Sequence, residues 1–202
     1  MSFFENTRKP VGLGGKIMVA MMNFGHSAMA AWGLPFLQPA QDAMVLDCGC
    51  GGGANIKTLL KLCPKGRVQG IDYSAVSVEK ARKVNARAIA AGRCTVQQAS
   101  VAELPFEAEQ FDVVTAFETV YFWPELAQNF REVYRVLKPG GIFFICNEAN
   151  GETAKDDKWT QIINGMTIYT DTALKAYLEQ AGFCKIQSHK SKKGWLCVTA
   201  RK

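Results

Sequence analysis

Positions 47–53 read DCGCGGG, so an acidic residue, Asp47, stands two residues before a cluster of four glycines. Residues 44–47 predict a short buried strand, and residues 55–62 predict a helix. Gly49 and Gly51 let the main chain turn tightly because they carry no Cβ. A strand that enters a helix through such a turn presents backbone N–H groups to an anionic group of a nucleotide-like ligand. The Asp47 carboxylate would repel a pyrophosphate there but suits a ligand with an ammonium group.

A second acidic residue ends the next predicted strand. Residues 67–72 have the pattern of a buried strand, and Asp72 is its last residue. In nucleotide-binding α/β folds, an acid at this place accepts hydrogen bonds from both ribose hydroxyls. Tyr73 could cover an adenine face. The alternative is that Asp72 only caps the following helix.

Strands and helices alternate along the chain as far as residue 146. Strands are predicted at residues 44–47, 67–72, 94–98, 111–117 and 142–146, and helices at residues 55–62, 74–91 and 124–137. This alternation predicts a parallel doubly wound sheet, whose ligands bind at the carboxyl ends of the strands. After a helix that ends at residue 180, residues 183–188 and 195–200 predict an antiparallel hairpin. The fold class is therefore α/β, with a mostly parallel seven-stranded sheet.

The order Asp47-x-Gly49-x-Gly51-x-Gly53 resembles the first motif of the class I S-adenosylmethionine-dependent methyltransferases. Residues 98–106 resemble the loop after the third strand of this family, residues 111–124 its fourth motif, and residues 137–141 its turn into the fifth strand. The nearest branch resembles the small-molecule methyltransferases of quinone biosynthesis. The resemblance implies one Rossmann-like methyltransferase domain over residues 1–202, with a helical lid or cap at 1–40 and the core at 41–202.

The resemblance implies S-adenosylmethionine as the cofactor and a set of binding residues. These are Asp47, Cys48, Gly49, Gly51, Asp72, Tyr73, Ser100, Val101 and Phe117. The family usually carries an acid where this chain has Ser100. A serine hydroxyl accepts a hydrogen bond from the adenine amine more weakly than a carboxylate does.

The methyl acceptor is expected beside the segment that follows Phe117. The candidate acceptor residues are Glu118, Tyr121 and Trp123 from that segment and His26 and Trp32 from the lid, which would also use Lys16 and Asn23. Aromatic rings there suit a sulfonium or a flat substrate, although core packing is an equal explanation for about half of them. Glu118, Tyr121 and His26 are candidate bases. No spacing singles out a catalytic residue.

Composition narrows the partners and the compartment. The net charge of +6 includes three lysines near one turn (190, 192 and 193), so no extended nucleic-acid surface is implied. Seven scattered cysteines without a C-x-x-C suit reduced thiols in the cytoplasm, and with two histidines they predict no metal site.

No apolar run is long enough to span a membrane. A signal peptide at residues 8–30 is a weaker alternative. The expected partner is a small-molecule acceptor, and a homodimer is possible.

Three other functions stay open. The pattern Gly49-x-Gly51-x-x-Ala54 also fits an NAD-dependent oxidoreductase, which leaves Asp47 and the terminal hairpin unexplained. A nucleic-acid methyltransferase would carry other residues after the fourth strand than Phe117-Glu118 and would need a recognition domain. A protein that binds the cofactor without turnover is the third.

Overall fold

The computed structural model describes residues 26–202, together with Gly12, Gly14 and Gly15. Lys16 and Asn23, which were predicted to serve a lid, lie outside the described residues, as does most of the segment considered as a signal peptide. The division into a lid at 1–40 and a core at 41–202 therefore stays a prediction. None of the described helices is long and apolar enough to cross a membrane.

Seven strands form one sheet in the order β3-β2-β1-β4-β5-β7-β6. They are β1 (Met44–Cys48), β2 (Arg67–Asp72), β3 (Cys94–Gln98), β4 (Phe111–Phe117), β5 (Leu137–Asn147), β6 (Cys184–Lys190) and β7 (Leu196–Arg201). The first five strands are parallel, and β7 runs antiparallel to both β5 and β6. The predicted α/β class, with a parallel sheet and a closing hairpin, is confirmed.

Seven α-helices occur in the described part of the chain, most of them as connections between strands. They are α1 (Ser27–Gly33), α2 (Ala54–Leu62), α3 (Ala75–Val84), α4 (Ala86–Ala90), α5 (Leu126–Val136), α6 (Ala154–Ile162) and α7 (Asp171–Gln180). Short 3₁₀ turns cover Leu34–Phe36 and Val120–Phe122.

The helix predicted at 74–91 is divided at Asn85, which has non-helical backbone angles. Its buried side-chain amide donates hydrogen bonds to the backbone oxygens of Gly53 and Ala81. A side chain that bonds the backbone competes with the helix's own hydrogen bonds. The bond to Gly53 also ties α3 to the glycine turn.

The predicted turn at residues 137–141 lies inside the longer β5. Phe111 pairs with Leu137 but Val113 pairs with Ile142, so the extra residues of β5 form an irregularity rather than a separate turn. Adjacent residues of the central strands belong to two different hydrophobic clusters, as with Val45 and Leu46. Because side chains alternate across a strand, both faces of the sheet are buried.

Candidate active site

A cavity of about 510 Å³ opens at the carboxyl ends of β1, β2 and β4. Ten of the predicted site residues line it: His26, Gly49, Gly51, Asp72, Tyr73, Ser100, Val101, Phe117, Glu118 and Trp123. The four others, Asp47, Cys48, Trp32 and Tyr121, do not line it. Trp32 instead contacts Trp195 and Phe36, with ring centroids 5.9 and 5.5 Å away. Strand order therefore brings most of the predicted residues around one space.

The glycine turn is shaped by its own hydrogen bonds. The N–H groups of Gly49 and Cys50 both donate to the Ile71 carbonyl oxygen at 2.8 Å, and the Gly51 N–H donates to Asp72 Oδ2 at 3.0 Å. Gly49 has a φ of +74° and Gly51 one of +51°. These three N–H groups thus hold the turn against β2. These three groups are not available to a ligand, and the predicted contact with an anionic group concerns the N–H groups at the start of α2, which begins at Ala54.

Asp72 joins the glycine turn to the cavity wall. Its Oδ1 accepts the Ser74 N–H at 2.8 Å, while Oδ2 accepts Gly51 N–H. Burial raises the pKa of Asp72, and these two N–H donors partly offset that rise. The cap of α3 is the Ser74 hydroxyl, which accepts the Ser77 N–H. The Asp72 carboxylate therefore lies at the cavity without being the helix cap.

Asp47 is 1% exposed and sits on β1 opposite Thr115 of β4. Its Oδ1 accepts the Thr115 hydroxyl at 2.7 Å, whereas its buried Oδ2 has no hydrogen-bond partner within the described part of the chain. Burial raises the pKa of Asp47 to about 7, the Thr115 bond lowers it and the charge of Asp72 adds to the rise. An unpartnered buried carboxylate oxygen is costly unless a donor or a cation meets it.

Glu118 marks the other end of the cavity. It follows β4 in a left-handed conformation, with a φ of +59°, and its side chain is 14% exposed. Glu118 Oε1 accepts a hydrogen bond from the Tyr121 hydroxyl at 3.1 Å and another from the Glu148 N–H. Tyr121 is thus buried behind Glu118 and supports it. Burial raises the pKa of Glu118 to about 7, and nearby His26 lowers it.

His26 and Glu148 complete a cluster with Glu118. The Nδ1 atom of His26 lies 3.3 Å from Glu148 Oε1 and 3.7 Å from Glu118 Oε2. Burial lowers the pKa of His26, but its close approach to Glu148 and the charges of both carboxylates outweigh that effect, so the net shift is upward. The cluster joins three segments that are far apart in sequence.

A family model described as a methyltransferase domain matches residues 46–145. The 24-methylenesterol C-methyltransferase 2 of Arabidopsis thaliana is 29% identical over 143 residues, which cover 70% of this chain and 38% of that protein. The O-methyltransferase cnsE of Penicillium expansum is 30% identical over 151 residues, which cover 73% of this chain and 54% of that protein. The chain thus spans about a third to a half of the length of these relatives.

A crystal structure of a SAM-dependent methyltransferase from Aquifex aeolicus superposes with a TM-score of 0.75 at 18% identity, covering 92% of this chain and 97% of that one. The family model and the relatives together place residues 46–145 in the class I S-adenosylmethionine-dependent methyltransferases. The predictions of this family and of its cofactor, S-adenosylmethionine, are confirmed. The residue roles within the methyltransferase site stay predictions.

The described residues of this methyltransferase fit the cofactor. The ribose hydroxyls of S-adenosylmethionine suit the Asp72 carboxylate at the cavity wall, whereas Asp47, whose unpartnered Oδ2 would suit the amino group, does not line the cavity. Gly49 lets the turn pack closely against Thr119, because a Cβ built there would lie 2.6 Å from Thr119 Cγ2. Tyr73, Ser100 and Val101 would then face the adenine.

The site also depends on residues that the sequence analysis did not single out. They are Asn85, Thr115 and Glu148. Thr115 could have been found, because its place on β4 in the parallel register puts it beside Asp47. Asn85 could also have been found, because it is a polar residue on the inward face of a predicted helix and buried polar groups need hydrogen-bond partners. Nothing in the sequence pairs Glu148 with His26.

Replacing Asp47 by asparagine is expected to stabilise the methyltransferase in the absence of cofactor, more at pH 8 than at pH 5. The folded pKa of about 7 exceeds the ordinary aspartate value of 3.8, so ionisation penalises the folded state increasingly as the pH rises between these values. The shift sets an upper limit of about 4 kcal/mol on the gain. Urea denaturation at both pH values measures it, with exposed Asp42→Asn as the control. Equal stabilities of variant and wild type at pH 8 would contradict the prediction.

Proposed function

We propose that this methyltransferase transfers a methyl group from S-adenosylmethionine to a small organic acceptor at the Glu118 end of its cavity. The observation that carries the proposal is one cavity that contains both sets of residues. Asp72 and the glycine turn line one part, and His26, Glu118 and Phe122 line another. The volume of about 510 Å³ lies within the usual range for small-molecule sites.

When bound, S-adenosylmethionine supplies an electrophilic methyl carbon, which an acceptor's electron pair attacks as the carbon–sulfur bond breaks and its electrons return to sulfur. The chain's own residues align the reactants and exclude water. Asp72 would orient the ribose, Asp47 the amino group, and the Phe117 carbonyl oxygen would lie near that group. Helix α1 contributes the small apolar side chains of Ala30 and Ala31 to the cavity wall.

The names of the relatives support a small-molecule acceptor without selecting one. They include C-methyltransferases of sterols and an O-methyltransferase. We further propose that the protein works in a reducing compartment such as the cytoplasm, since all seven cysteines are free thiols and six of them are buried. The lid at 1–40 and the homodimer remain predictions, and the molar mass in solution checks the latter.

The test separates binding from turnover. Calorimetry with S-adenosylhomocysteine should show saturable binding, and NAD should give none. The protein is then incubated with methyl-labelled cofactor and the small-molecule fraction of a cell extract. Label should enter small molecules, and not nucleic acid added in a parallel reaction. Binding of NAD alone would refute the proposal, and binding without any turnover would favour a cofactor-binding protein.

A further inference from the structure

The described wall of the cavity contains acidic groups but no lysine or arginine. This is unexpected in a chain whose net charge is +6. Asp72 lies in the cofactor part, so Glu118 is the charged group of the acceptor part, with Glu148 next to it. Among these residues, the one group that could pair with a phosphate or carboxylate of an acceptor is His26, and its Nδ1 already lies 3.3 Å from Glu148 Oε1. The acceptor end therefore favours positive charge.

The Glu118 side chain keeps one oxygen available. Oε1 accepts two hydrogen bonds, from Tyr121 and from the Glu148 N–H, whereas Oε2 faces His26 Nδ1 at 3.7 Å. That separation is too long for a hydrogen bond. The left-handed backbone of Glu118 is an uncommon conformation for a non-glycine residue and holds the carboxylate at the end of β4.

Aromatic side chains border the same space. Phe122 and Trp123, four and five residues after Glu118, both line the cavity. Aromatic faces attract cations through the ring quadrupole, and this attraction grows where water is excluded. A carboxylate with adjoining aromatic rings is a combination that binds organic ammonium ions.

We propose that the methyl acceptor is an amine that enters as an ammonium ion, pairs with Glu118 and gives its proton to Glu118 Oε2. This inference rests on the methyl transfer proposed above. The N–H bond breaks and its electron pair stays on nitrogen, while the proton forms an O–H bond on Glu118. The freed electron pair is the one that nitrogen needs in order to accept the methyl group.

The surroundings of Glu118 support this proton transfer. The groups that face it are His26, Glu148 and Tyr121, and burial outweighs the effect of His26 so that the pKa of Glu118 reaches about 7. A base with a pKa near neutrality accepts protons more readily than an ordinary glutamate. The imidazole of His26 lies 3.7 Å from Glu118 Oε2 and acts on the proton affinity of Glu118 through its charge, which makes it a positioning residue.

The first experiment sorts the acceptor by charge. A small-molecule extract is separated at pH 7 into cationic, neutral and anionic pools, and each pool is incubated with the protein and labelled cofactor. We expect label in the cationic pool, in a product with a new N-methyl group. Turnover confined to the neutral or anionic pool overturns the amine but leaves methyl transfer intact. Binding of S-adenosylhomocysteine with no turnover in any pool overturns both.

A second arm addresses a metal ion, since His26, Glu118 and Glu148 offer ligand atoms within 4.8 Å of one another. EDTA should leave the turnover of the cationic pool unchanged. Loss of turnover in EDTA, with recovery on addition of Mg²⁺ or Mn²⁺, would assign the cluster to a metal and overturn the proton transfer.

Variants test the proton transfer itself. Glu118→Gln should lower kcat about 100-fold or more, as expected for loss of a general base. Binding of S-adenosylhomocysteine should change less than about twofold, because Gln keeps an acceptor for Tyr121.

In the wild type, kcat/KM should rise with pH through about 7. His26→Gln should move this rise of kcat/KM to higher pH, because the imidazole opposes protonation of Glu118. The control variants Glu179→Gln and His189→Gln should match the wild type. A fully active Glu118→Gln enzyme overturns the proposal.

Discussion

Replacing Gly49 with alanine is expected to lower the free energy of unfolding by about 2–4 kcal/mol. Two costs combine at this position. The backbone has a φ of +74°, which L-residues adopt with strain. A Cβ would also lie 2.6 Å from Thr119 Cγ2 and 2.8 Å from Thr119 Cβ, inside van der Waals contact. Since Thr119 donates its hydroxyl to the Cys48 carbonyl oxygen, it cannot move away without losing that bond.

Two other glycines make matched controls for this variant. Gly51 and Gly92 also have positive φ angles, but a Cβ added to either meets no atom within 4 Å. Gly51→Ala and Gly92→Ala therefore measure the backbone strain alone, about 1 kcal/mol. Urea denaturation of the three variants isolates the steric part at Gly49. A cost for Gly49→Ala no greater than that for Gly92→Ala would show that the turn tolerates the contact with Thr119.

Replacing Asp72 with asparagine should weaken binding of S-adenosylhomocysteine by about 1.5–3 kcal/mol, which is roughly 10- to 150-fold in Kd. The carboxylate receives Gly51 N–H on one oxygen and Ser74 N–H on the other. An amide can accept only one of these bonds and turns an N–H donor toward the second donor. The variant thus loses the proposed ribose contacts and loosens the glycine turn.

Calorimetry at fixed pH and salt measures the affinity of the Asp72 variant, and urea denaturation reports its stability separately. Asp42→Asn, an exposed acid ahead of β1, is the control and should bind like the wild type. A folded Asp72→Asn protein with unchanged affinity would remove Asp72 from the cofactor site. A large loss of stability without loss of affinity would assign it a structural role.

Much of the cofactor part of the site could be predicted, because its residues lie close together in the sequence. Asp47, Gly49 and Gly51 lie within one turn, and Asp72 ends the next strand, so the parallel sheet must bring them to the same edge. Hydrophobic patterning was sufficient for the strands, and both clusters of the core confirm it. The closing hairpin followed from two short strands with a polar turn between them.

The acceptor end was less accessible to sequence reasoning. Glu118 and Tyr121 were candidates among several, and Glu148 was not considered at all. Helix α6 lies in a polar stretch with a weak periodic pattern. Asn85 divides a predicted continuous helix because its side chain reaches Gly53, a contact between residues far apart in the chain.

The sequence by itself determined the order of strands and helices, the glycine turn and the two acids at strand ends, since these depend on neighbouring residues and on alternating polarity. Tertiary structure alone decided that Asp47 lies outside the cavity lining, that the turn's N–H groups are taken by β2, and that His26, Glu118 and Glu148 meet. Burial and long-range contact set both the charge and the position of these groups, and neither is encoded in local spacing.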